Sequence, residues 1–476
     1  MTNWLPNLIR NGTPLYIEIA DQIERDIDSG RLPSGARLPP VRNVAFDIGV
    51  TNGTVSRAYK LACERGLVSG EVGRGTYVLA KSDRIIFDMD LVTSDRAPQN
   101  KTADGNGEYG PTHYHFGYSS AVDVGQTEII AATSRAIANG HPSKVMDYIR
   151  HIPDEWRQAG AKWLATSDWA PEPVDVIPTN GAHAAVVSII SALTAPGDKI
   201  AFESLTYCSI ARSAALLGRR VVQVEFDKEG IIPASFEKVC AQQHPKILYL
   251  MPSVQNPTLA CLPTDRRKEI AEIAHRYNVW IIDDSIYAPL VDDLNLPFSA
   301  IAPELTFRVG GFSKSVSAGI RSGWCACPQR FAERIANAHK MVTGGASYWL
   351  VELASTLVLN GKAESILQKV RLENERRTTI VREAMDGHKM KWHKNCPYIW
   401  IKLPDPWTSA TFKGALLNHN ITVSNEDEFK PSRTDQVFHG ARIGFTSVKE
   451  AGELLEPFKI IRNVLESGIS GYDHHV

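Results

Sequence analysis

Charge of one sign, metal-binding cysteine clusters and long apolar runs are all missing from this sequence of 476 residues. Lysine and arginine number 52 against 53 aspartates and glutamates, so the formal net charge is −1. The chain as a whole therefore gives no electrostatic argument for binding nucleic acid, and any such contact must come from a local surface. The seven cysteines are scattered without the spaced Cys/His clusters of a zinc site. We expect reduced thiols and no bound metal.

Signals for export or membrane insertion are also missing. The N-terminal run MTNWLPNLIRNG has no basic segment followed by an apolar stretch. No apolar run reaches the roughly eighteen residues that a membrane helix needs. We therefore expect a cytoplasmic protein. With 43% hydrophobic and 22% charged residues, the composition is that of an ordinary folded chain with room for at least two domains.

Apolar residues at spacings of three and four predict successive helices in the first part of the chain. They are Tyr16, Ile19, Ala20, Ile23 and Ile27, then Val41, Val44, Ala45 and Ile48, then Val55, Ala58, Tyr59 and Ala62. Gly49 supplies a tight turn before the third helix, and Thr51 is a good N-cap for it. Two short helices joined by such a turn form a helix-turn-helix.

The polar face of the third helix suits DNA. Asn52, Ser56, Arg57 and Lys60 lie off its apolar stripe, as a helix that reads the major groove requires. After it, Leu67-Val68 and the run GRGTYV predict two short strands around a glycine turn, with Arg74 at the tip. On spacing alone, a three-helix bundle with a solvated polar face stays open as the alternative.

The order of the whole segment favours the DNA-binding alternative. The run from Pro14 to Val78 resembles the GntR-type winged helix along nearly its full length. In that family the arginine of the LPPVR segment, the start of the recognition helix and the wing tip touch DNA. Matched position by position, the resemblance assigns DNA contacts to Arg42, Thr51, Asn52, Thr54, Arg57, Arg74 and Thr76.

A connector and a larger domain follow. Residues 81–112 lack periodicity and are rich in Asp, Asn, Gly, Thr and Pro, which predicts a flexible linker between a domain at 1–80 and one at 113–476. Seven β-rich runs, most of them apolar throughout, alternate with helical patterns: VDVIP, KIAFE, VVQVEF, KILYLM, VWIID, TFRVG and SGWCAC. They predict a three-layer α/β domain with a mostly parallel, seven-stranded sheet. From about residue 370 to 476, the pattern predicts a smaller α/β lobe.

Lys314 is the first candidate for chemistry in the larger domain. It follows a predicted strand and a pair of glycines, a place where a lysine is usually a solvated charge. A lysine that forms a Schiff base needs partners that hold it and keep its amine reactive. At the end of VWIID, the carboxylate of Asp284 is suited to keep a pyridine nitrogen protonated, and the phenol of Tyr287 to bind a ring oxygen.

Two further groups precede these residues in the chain. The run Asn180-Gly181-Ala182-His183 ends a strand and begins a helix, so free backbone N–H groups converge on a point that suits a phosphate. Tyr207 is able to stack on a flat ring, and Asn256 in the QNPT turn to donate to a ring oxygen.

In this order the residues resemble the cofactor constellation of fold-type I pyridoxal-phosphate enzymes, the aspartate aminotransferase superfamily, over roughly residues 115–470. The resemblance implies that Lys314 holds pyridoxal phosphate as the internal aldimine and that Asp284 faces the pyridinium nitrogen. Asn256 and Tyr287 donate to the phenolic oxygen, and Tyr207 stacks on the ring. Ala182, His183, Ser313 and Arg321 hold the phosphate, and Gly181 belongs to the same cofactor constellation. Arg442, in ARIGF, matches the arginine that binds a substrate carboxylate.

A GntR-type domain followed by an aminotransferase-like domain resembles the MocR subfamily of regulators. The resemblance implies a cytoplasmic homodimer that binds operator DNA. It also implies an effector, an amino compound or pyridoxal phosphate itself, that is sensed by imine exchange at Lys314. Two other functions stay open: a working aminotransferase with an appended DNA-binding domain, and a DNA-binding scaffold with a dead pocket. The winged helix argues against the first, the filled cofactor positions argue against the second, and residual transamination fits the regulator.

Some positions depart from the family pattern. His183 stands where small polar or amide residues are usual, Gly311 replaces a hydroxyl residue, and Leu259 replaces the glycine after the NPT turn. The loop after Tyr148, YIRHIPDEW, lacks the usual glycine. Cofactor binding is expected to survive these changes, and the resemblance does not identify the effector.

Overall fold

The computed structural model describes residues 4–8, 14–33, 35–65, 67–71, 75–78 and 113–467. The chain divides into two compact units, Met1–Thr102 and Ala103–Val476. Arg74 and the linker predicted at 81–112 lie outside the described residues. Within the described ranges, no helix combines the length and the apolar character that a membrane crossing requires.

The first unit is the predicted winged helix-turn-helix. Its elements are α1 (Leu15–Asp28), α2 (Val41–Asp47), α3 (Asn52–Glu64), β1 (Val68–Glu71) and β2 (Gly75–Val78). The strands pair antiparallel, and Ile19, Ile23 and Val55 lie in the core with no exposed surface. Gly49 has a φ of 69°, a conformation that glycine adopts without strain. Thr51 caps α3, because its Oγ1 accepts a hydrogen bond from the N–H of Thr54 at 3.3 Å.

Helices and strands alternate along the second unit. Its helices are α4 (Gln126–Gly140), α5 (Pro142–Met146), α6 (Asp154–Leu164), α7 (Ala182–Leu193), α8 (Cys208–Leu216), α9 (Pro233–Gln243), α10 (Thr264–Tyr277), α11 (Phe298–Ile301), α12 (Gln329–Thr343), α13 (Tyr348–Leu359), α14 (Lys362–Ala384), α15 (Ser409–Leu417) and α16 (Leu455–Ser467). Its strands are β3 (Tyr114–Phe116), β4 (Val176–Thr179), β5 (Lys199–Glu203), β6 (Arg220–Val224), β7 (Phe226–Asp227), β8 (Gly230–Ile231), β9 (Ile247–Leu250), β10 (Trp280–Asp284), β11 (Thr306–Gly311), β12 (Gly323–Ala326), β13 (Met390–Lys391), β14 (Tyr398–Lys402), β15 (Ile421–Asn425) and β16 (Gly440–Gly444).

The large sheet confirms the predicted three-layer fold. Its seven strands have the order β4-β12-β11-β10-β9-β5-β6, and each of the seven predicted runs forms one of them. All neighbours pair parallel except β12, which is antiparallel to both β11 and β4. Along β9, Ile247 and Tyr249 belong to one buried core, while Leu248 and Leu250 belong to another. Successive residues of a strand point to opposite faces, so both faces of the sheet are covered.

The smaller lobe has a sheet of its own, with the order β13-β14-β16-β15-β3. Its core contains Ile399, Ile421, Ile443 and Phe458. Strand β3 enters this sheet from the start of the unit and pairs parallel with β15. The predicted lobe at 370–476 did not include β3, because three residues are too few to show a period.

Candidate functional site

The carboxyl ends of the parallel strands open onto a cavity of about 270 Å³, the usual place for a ligand in this class of sheet. Nine of the ten cofactor residues predicted from the sequence line it, together with Arg442: Ala182, His183, Tyr207, Asn256, Asp284, Tyr287, Ser313, Lys314 and Arg321. Gly181, the tenth, immediately precedes Ala182 as the N-cap of α7. The lining residues that sequence reasoning missed are Tyr118, Ser119, Met251 and Ile286.

Lys314 lies in the turn after β11, and its Nζ donates to the backbone oxygen of Ser119 at 2.5 Å. Burial and, to a smaller extent, the nearby charge of Arg442 lower the pKa of Lys314 to about 8, although the carboxylate of Asp284 opposes this shift. An ammonium with this pKa releases its proton far more readily near neutral pH than an exposed lysine does. The amine is therefore prepared to act as a nucleophile.

Asp284 receives hydrogen bonds on both carboxylate oxygens. The hydroxyl of Tyr249 donates to Oδ2 at 2.7 Å, and the N–H of Ile286 donates to Oδ1 at 3.2 Å. Burial raises the pKa of Asp284 to about 6, although these hydrogen bonds oppose the rise. Sequence reasoning missed Tyr249. The parallel register that pairs it with Ile282 places its side chain on the same face as that of Asp284, and this register was not predicted.

Asp283 serves the opposite face of the sheet. Its Oδ2 forms an ion pair with Nη1 of Arg308 at 2.9 Å, and its Oδ1 accepts from the hydroxyl of Ser285 at 2.6 Å. Both charged side chains are buried. Asp283 therefore compensates a buried guanidinium and takes no part in the cavity.

Asn256 and Arg442 hold each other in place. Nη1 of Arg442 donates to Oδ1 of Asn256 at 2.9 Å. A guanidinium has donors only, so this contact fixes the orientation of the Asn256 amide. The amide N–H group is then left to donate to another acceptor, as its predicted role requires.

Arg442 is a buried charge that forms no ion pair with any carboxylate among the described residues. Its second contact is from Nη2 to the backbone oxygen of Gly117, at 2.6 Å, and its Nε has no partner among the described residues. The rings of Phe429 and Tyr398 lie 4.9 and 5.3 Å from the guanidinium carbon. A buried guanidinium held by neutral oxygens is costly, and a carboxylate would compensate it.

Tyr287 and His183 are both neutral in this environment. Burial raises the pKa of Tyr287 to about 12, and its hydroxyl lies 2.9 Å from Oγ of Ser119. Burial, and then the charge of Arg321, lower the pKa of His183. Its Nε2 lies 3.1 Å from Oγ of Ser213 and its ring lies edge-on to Tyr207, so the histidine is held by the protein itself.

The amino end of α7 provides an anion site. Its first N–H groups, from Ala182 on, have no partner within the helix, and the helix dipole is positive there. Arg321 stands beside it: a Cβ on Gly181 would lie 3.6 Å from the Arg321 carbonyl oxygen. Gly181 has a φ of 92°, which favours glycine. Arg321 itself is exposed, so its guanidinium is accessible to an incoming phosphate.

The structure accounts for two of the family departures. At Gly311, a Cβ would lie 2.8 Å from the carbonyl oxygen of Ser322, which leaves no room for a hydroxyl residue. Leu259 adopts a φ of 58°, so this side chain replaces glycine at the cost of roughly 1–3 kcal/mol of backbone strain. Tyr148 is 88% exposed and does not line the cavity.

Six of the seven predicted DNA-contacting residues, all but Arg74, lie within the described part of the first unit, and each is at least partly exposed. Arg42, Thr51, Asn52 and Arg57 are exposed, whereas Val55 and Ala58 of α3 are buried. Thr54 is half-buried, with its hydroxyl 3.0 Å from that of Thr51 in the cap of α3. Thr76 is half-buried on β2. Because the chain as a whole is nearly neutral, a DNA contact must come from a local surface, and these residues provide one.

Known proteins match both units. Residues 121–431 match the family "Aminotransferase class I and II", and residues 15–78 match "Bacterial regulatory proteins, gntR family". An uncharacterised HTH-type transcriptional regulator of Bacillus subtilis, YdeF, is 24% identical over 98% of this chain and 97% of its own length. Another from Escherichia coli, YdcR, is 25% identical over 86% of this chain and 90% of its own.

Solved structures resemble the larger unit. An archaeal alanine:glyoxylate aminotransferase has a TM-score of 0.69 at 18% identity, covering 75% of this chain and 92% of its own. A kynurenine aminotransferase of Pyrococcus horikoshii has a TM-score of 0.66 at 21% identity, covering 75% and 91%. At such identities the likeness shows the fold alone.

The donor set of the cavity fits the cofactor of this family. Lys314, Asp284 and the anion site at α7 correspond in type to an aldehyde, a pyridine nitrogen and a phosphate. No cluster of three or more metal-binding side chains occurs in the described ranges. The chain therefore belongs to the class I and II aminotransferase family, and its pyridoxal-phosphate domain is preceded by a gntR-family DNA-binding domain, the architecture of MocR-like regulators.

Proposed function

We propose that this chain is a transcriptional regulator that binds operator DNA through its first unit and senses an amino compound through the second. One observation supports this most strongly. A single chain combines an exposed polar recognition helix with a cavity that contains Lys314, Asp284, Asn256 and Arg442. An enzyme has no use for the helix, and a scaffold has no use for an intact cavity.

Each of the cavity residues contacts a different part of the cofactor. Lys314 binds the aldehyde carbon, Asp284 binds the ring nitrogen, and Tyr207 stacks on one face of the ring. Asn256 and Tyr287 donate to the phenolic oxygen. The phosphate is bound by Ala182, His183, Ser313 and Arg321 at the amino end of α7. Bound pyridoxal phosphate supplies an electrophilic carbon that exchanges one amine for another.

The effector needs an amine and a carboxylate. Its amine displaces the amine of Lys314 from the cofactor: one carbon–nitrogen double bond is exchanged for another, and Lys314 recovers its free amine. Its carboxylate binds Arg442, the buried cation that only neutral oxygens hold among the described residues. Amino acids are therefore the favoured class, ahead of simple amines and of pyridoxal phosphate itself.

The proposal extends to assembly and location. The protein is a homodimer, since a single winged helix with few basic groups binds DNA weakly and two linked copies bind much better. It acts in the cytoplasm, where its operator lies. Turnover is not required. The low pKa of Lys314 nevertheless favours residual aminotransferase activity as a second property of the same site.

The test compares two titrations of the cofactor-loaded protein. Amino acids are added one at a time while the cofactor absorbance is followed, and binding to the DNA upstream of the protein's own gene is measured over the same concentrations. We expect one compound to change both signals with the same midpoint. Its decarboxylated and deaminated analogues, which lack the carboxylate or the amine, should change neither. An absorbance response without any change in DNA binding would contradict the regulatory role.

A further inference from the structure

We propose that residues 117–120, the segment directly after β3, carry the effector signal from the cavity towards the linker and the DNA-binding unit. This inference rests on the proposed function, because it names the route by which that site regulates DNA binding. It is drawn from the contacts of the segment on its two sides.

On the cavity side, the segment contacts three side chains that are proposed to bind the cofactor or the effector. The backbone oxygen of Gly117 accepts from Arg442 at 2.6 Å, and that of Ser119 accepts from Lys314 at 2.5 Å. The hydroxyl of Ser119 lies 2.9 Å from that of Tyr287. Two residues of one short segment, Gly117 and Ser119, therefore connect the proposed effector cation, the cofactor lysine and the phenol.

Effector binding changes these bonds in a defined way. If Lys314 held the cofactor, its nitrogen would carry at most one hydrogen and would not be free to donate to Ser119. An effector amine that released Lys314 would make its free amine available to Ser119 again. At the same time the effector carboxylate competes for Arg442, and a charge-assisted hydrogen bond is roughly twice as strong as one to a neutral carbonyl. Gly117 then loses a donor as Ser119 gains one.

On the lobe side, the segment is tied to the small sheet. The hydroxyl of Ser424 on β15 donates to the Gly117 oxygen at 2.5 Å, and the N–H of Ser120 donates to Oγ1 of Thr446 at 3.3 Å. The contact with β16 is close, because a Cβ on Gly444 would lie 2.2 Å from the carbonyl oxygen of Tyr118. The segment cannot move without moving these neighbours or breaking these bonds.

The same segment continues backwards into β3 and the linker. Strand β3 is held to the small lobe by its pairing with β15 and by the hydrogen bond from the N–H of Tyr114 to the oxygen of Asn420, at 2.8 Å. The residues before His113 lead to the DNA-binding unit. Because the chain is continuous, a shift of the segment is transmitted through β3 to the start of the linker.

The test uses Thr446→Val and Ser424→Ala, which remove the lobe-side hydrogen bonds. Neither residue lines the cavity. In cofactor-loaded, full-length protein we expect an unchanged absorbance spectrum and unchanged affinity for the amino acid that the titrations identify. The change in operator affinity caused by that amino acid should fall from the usual range for coupled sites, about 5- to 150-fold, to near onefold. Thr379→Val on α14, which removes an exposed hydroxyl of the same lobe, is the matched control and should retain the full effect.

The outcomes separate this inference from the proposed function. If operator binding by the wild-type protein ignores every amino acid, the proposed function fails. If the wild type responds and both variants respond equally, the proposed route fails while the function stands. Hydrogen exchange in the wild type provides a test that does not depend on the folding of the variants. The amide of Tyr114 should change its exchange rate when the amino acid binds, and an unchanged rate along β3 would overturn the route.

Discussion

At the scale of single residues, the cavity contains charged side chains whose burial costs free energy. Burial is the main cause of the low pKa of Lys314, and the nearby positive charge of Arg442 adds to it. Asp284 offsets this in part, since its carboxylate favours the charged amine. The arrangement keeps the lysine reactive and leaves the arginine in need of an anion.

Arg442→Ala tests the role of that arginine. We expect the variant to bind the cofactor and to lose the absorbance response to the effector, at a cost of about 2–5 kcal/mol in effector affinity for an unpaired buried charge. Removing this cation also removes one cause of the low pKa of Lys314, so the lysine should titrate at higher pH. Absorbance titration with the effector measures the first effect, and the pH dependence of the rate at which the cofactor-free protein takes up pyridoxal phosphate measures the second. A wild-type midpoint for the effector would show that Arg442 does not bind it.

Tyr249→Phe tests the hydrogen bond to Asp284. This bond favours the charged carboxylate, so its loss should raise the pKa of Asp284 above 6. The carboxylate then takes up a proton nearer to neutral pH and holds the ring nitrogen less well. We expect a weaker cofactor affinity, by roughly 1.5–3 kcal/mol for a hydrogen bond to a charged group, and a shifted pH dependence of the cofactor absorbance. Tyr277→Phe, on α10, is the control, and identical pH profiles for wild type and Tyr249→Phe would contradict the assignment.

At the scale of elements, the sequence predicted strands well where burial on both faces leaves a continuous apolar run. Six of the seven strands of the large sheet are buried at every residue or at all but one, and the exception is the edge strand β6, which is mostly half-buried. The two-residue strands β7, β8 and β13 and the three-residue β3 carry no usable period and were not predicted. The register between neighbouring strands could not be predicted from the sequence either, so the contact between Tyr249 and Asp284 was missed. Ser119 reaches Lys314 across 195 positions of the chain, a proximity that no local pattern encodes.

Helix α3 can be tested as a recognition element. Arg57 is exposed on its polar face, opposite Val55 and Ala58. Arg57→Ala should weaken operator binding by about 1–3 kcal/mol if the guanidinium reads a base, or reduce the salt dependence by about one ion if it binds a phosphate. Arg25→Ala makes the same charge change on the exposed side of α1 and should have little effect. Equal losses for the two variants, measured by titration of labelled operator at several salt concentrations, would show that α3 is not the recognition helix.

At the scale of the whole molecule, one buried carboxyl makes stability depend on pH. Burial raises the pKa of Glu203, at the end of β5, from its ordinary value of 4.5 to about 8. The fold therefore favours the protonated form of Glu203. The contribution of this carboxyl to the free energy of unfolding is fully present below pH 4.5 and is lost as the pH rises to about 8. Its side chain lies 3.3 Å from the Nε2 of Gln255, next to Asn256.

Glu203→Gln should remove this dependence because the amide does not ionise. Between pH 4.5 and about 8, the wild type should become less stable relative to the variant as the pH rises. The midpoints of urea unfolding at several pH values, with tryptophan fluorescence as the signal, measure the difference. Parallel pH profiles for the two proteins would show that Glu203 is not held protonated by the fold.

The central claim is that exchange at Lys314 is the signal that the DNA-binding unit reads. The most direct measurement is operator affinity of wild type and Lys314→Ala, each with and without the effector, with Lys268→Ala on the exposed side of α10 as the control. An effector shifts a two-state equilibrium only through differential affinity, and without the lysine amine there is no exchange to provide it. We predict that Lys314→Ala binds operator with wild-type affinity in the absence of effector and no longer responds to its addition, while Lys268→Ala responds as the wild type does. A normal effector response in Lys314→Ala would contradict the claim and point to a ligand that is sensed without a covalent bond.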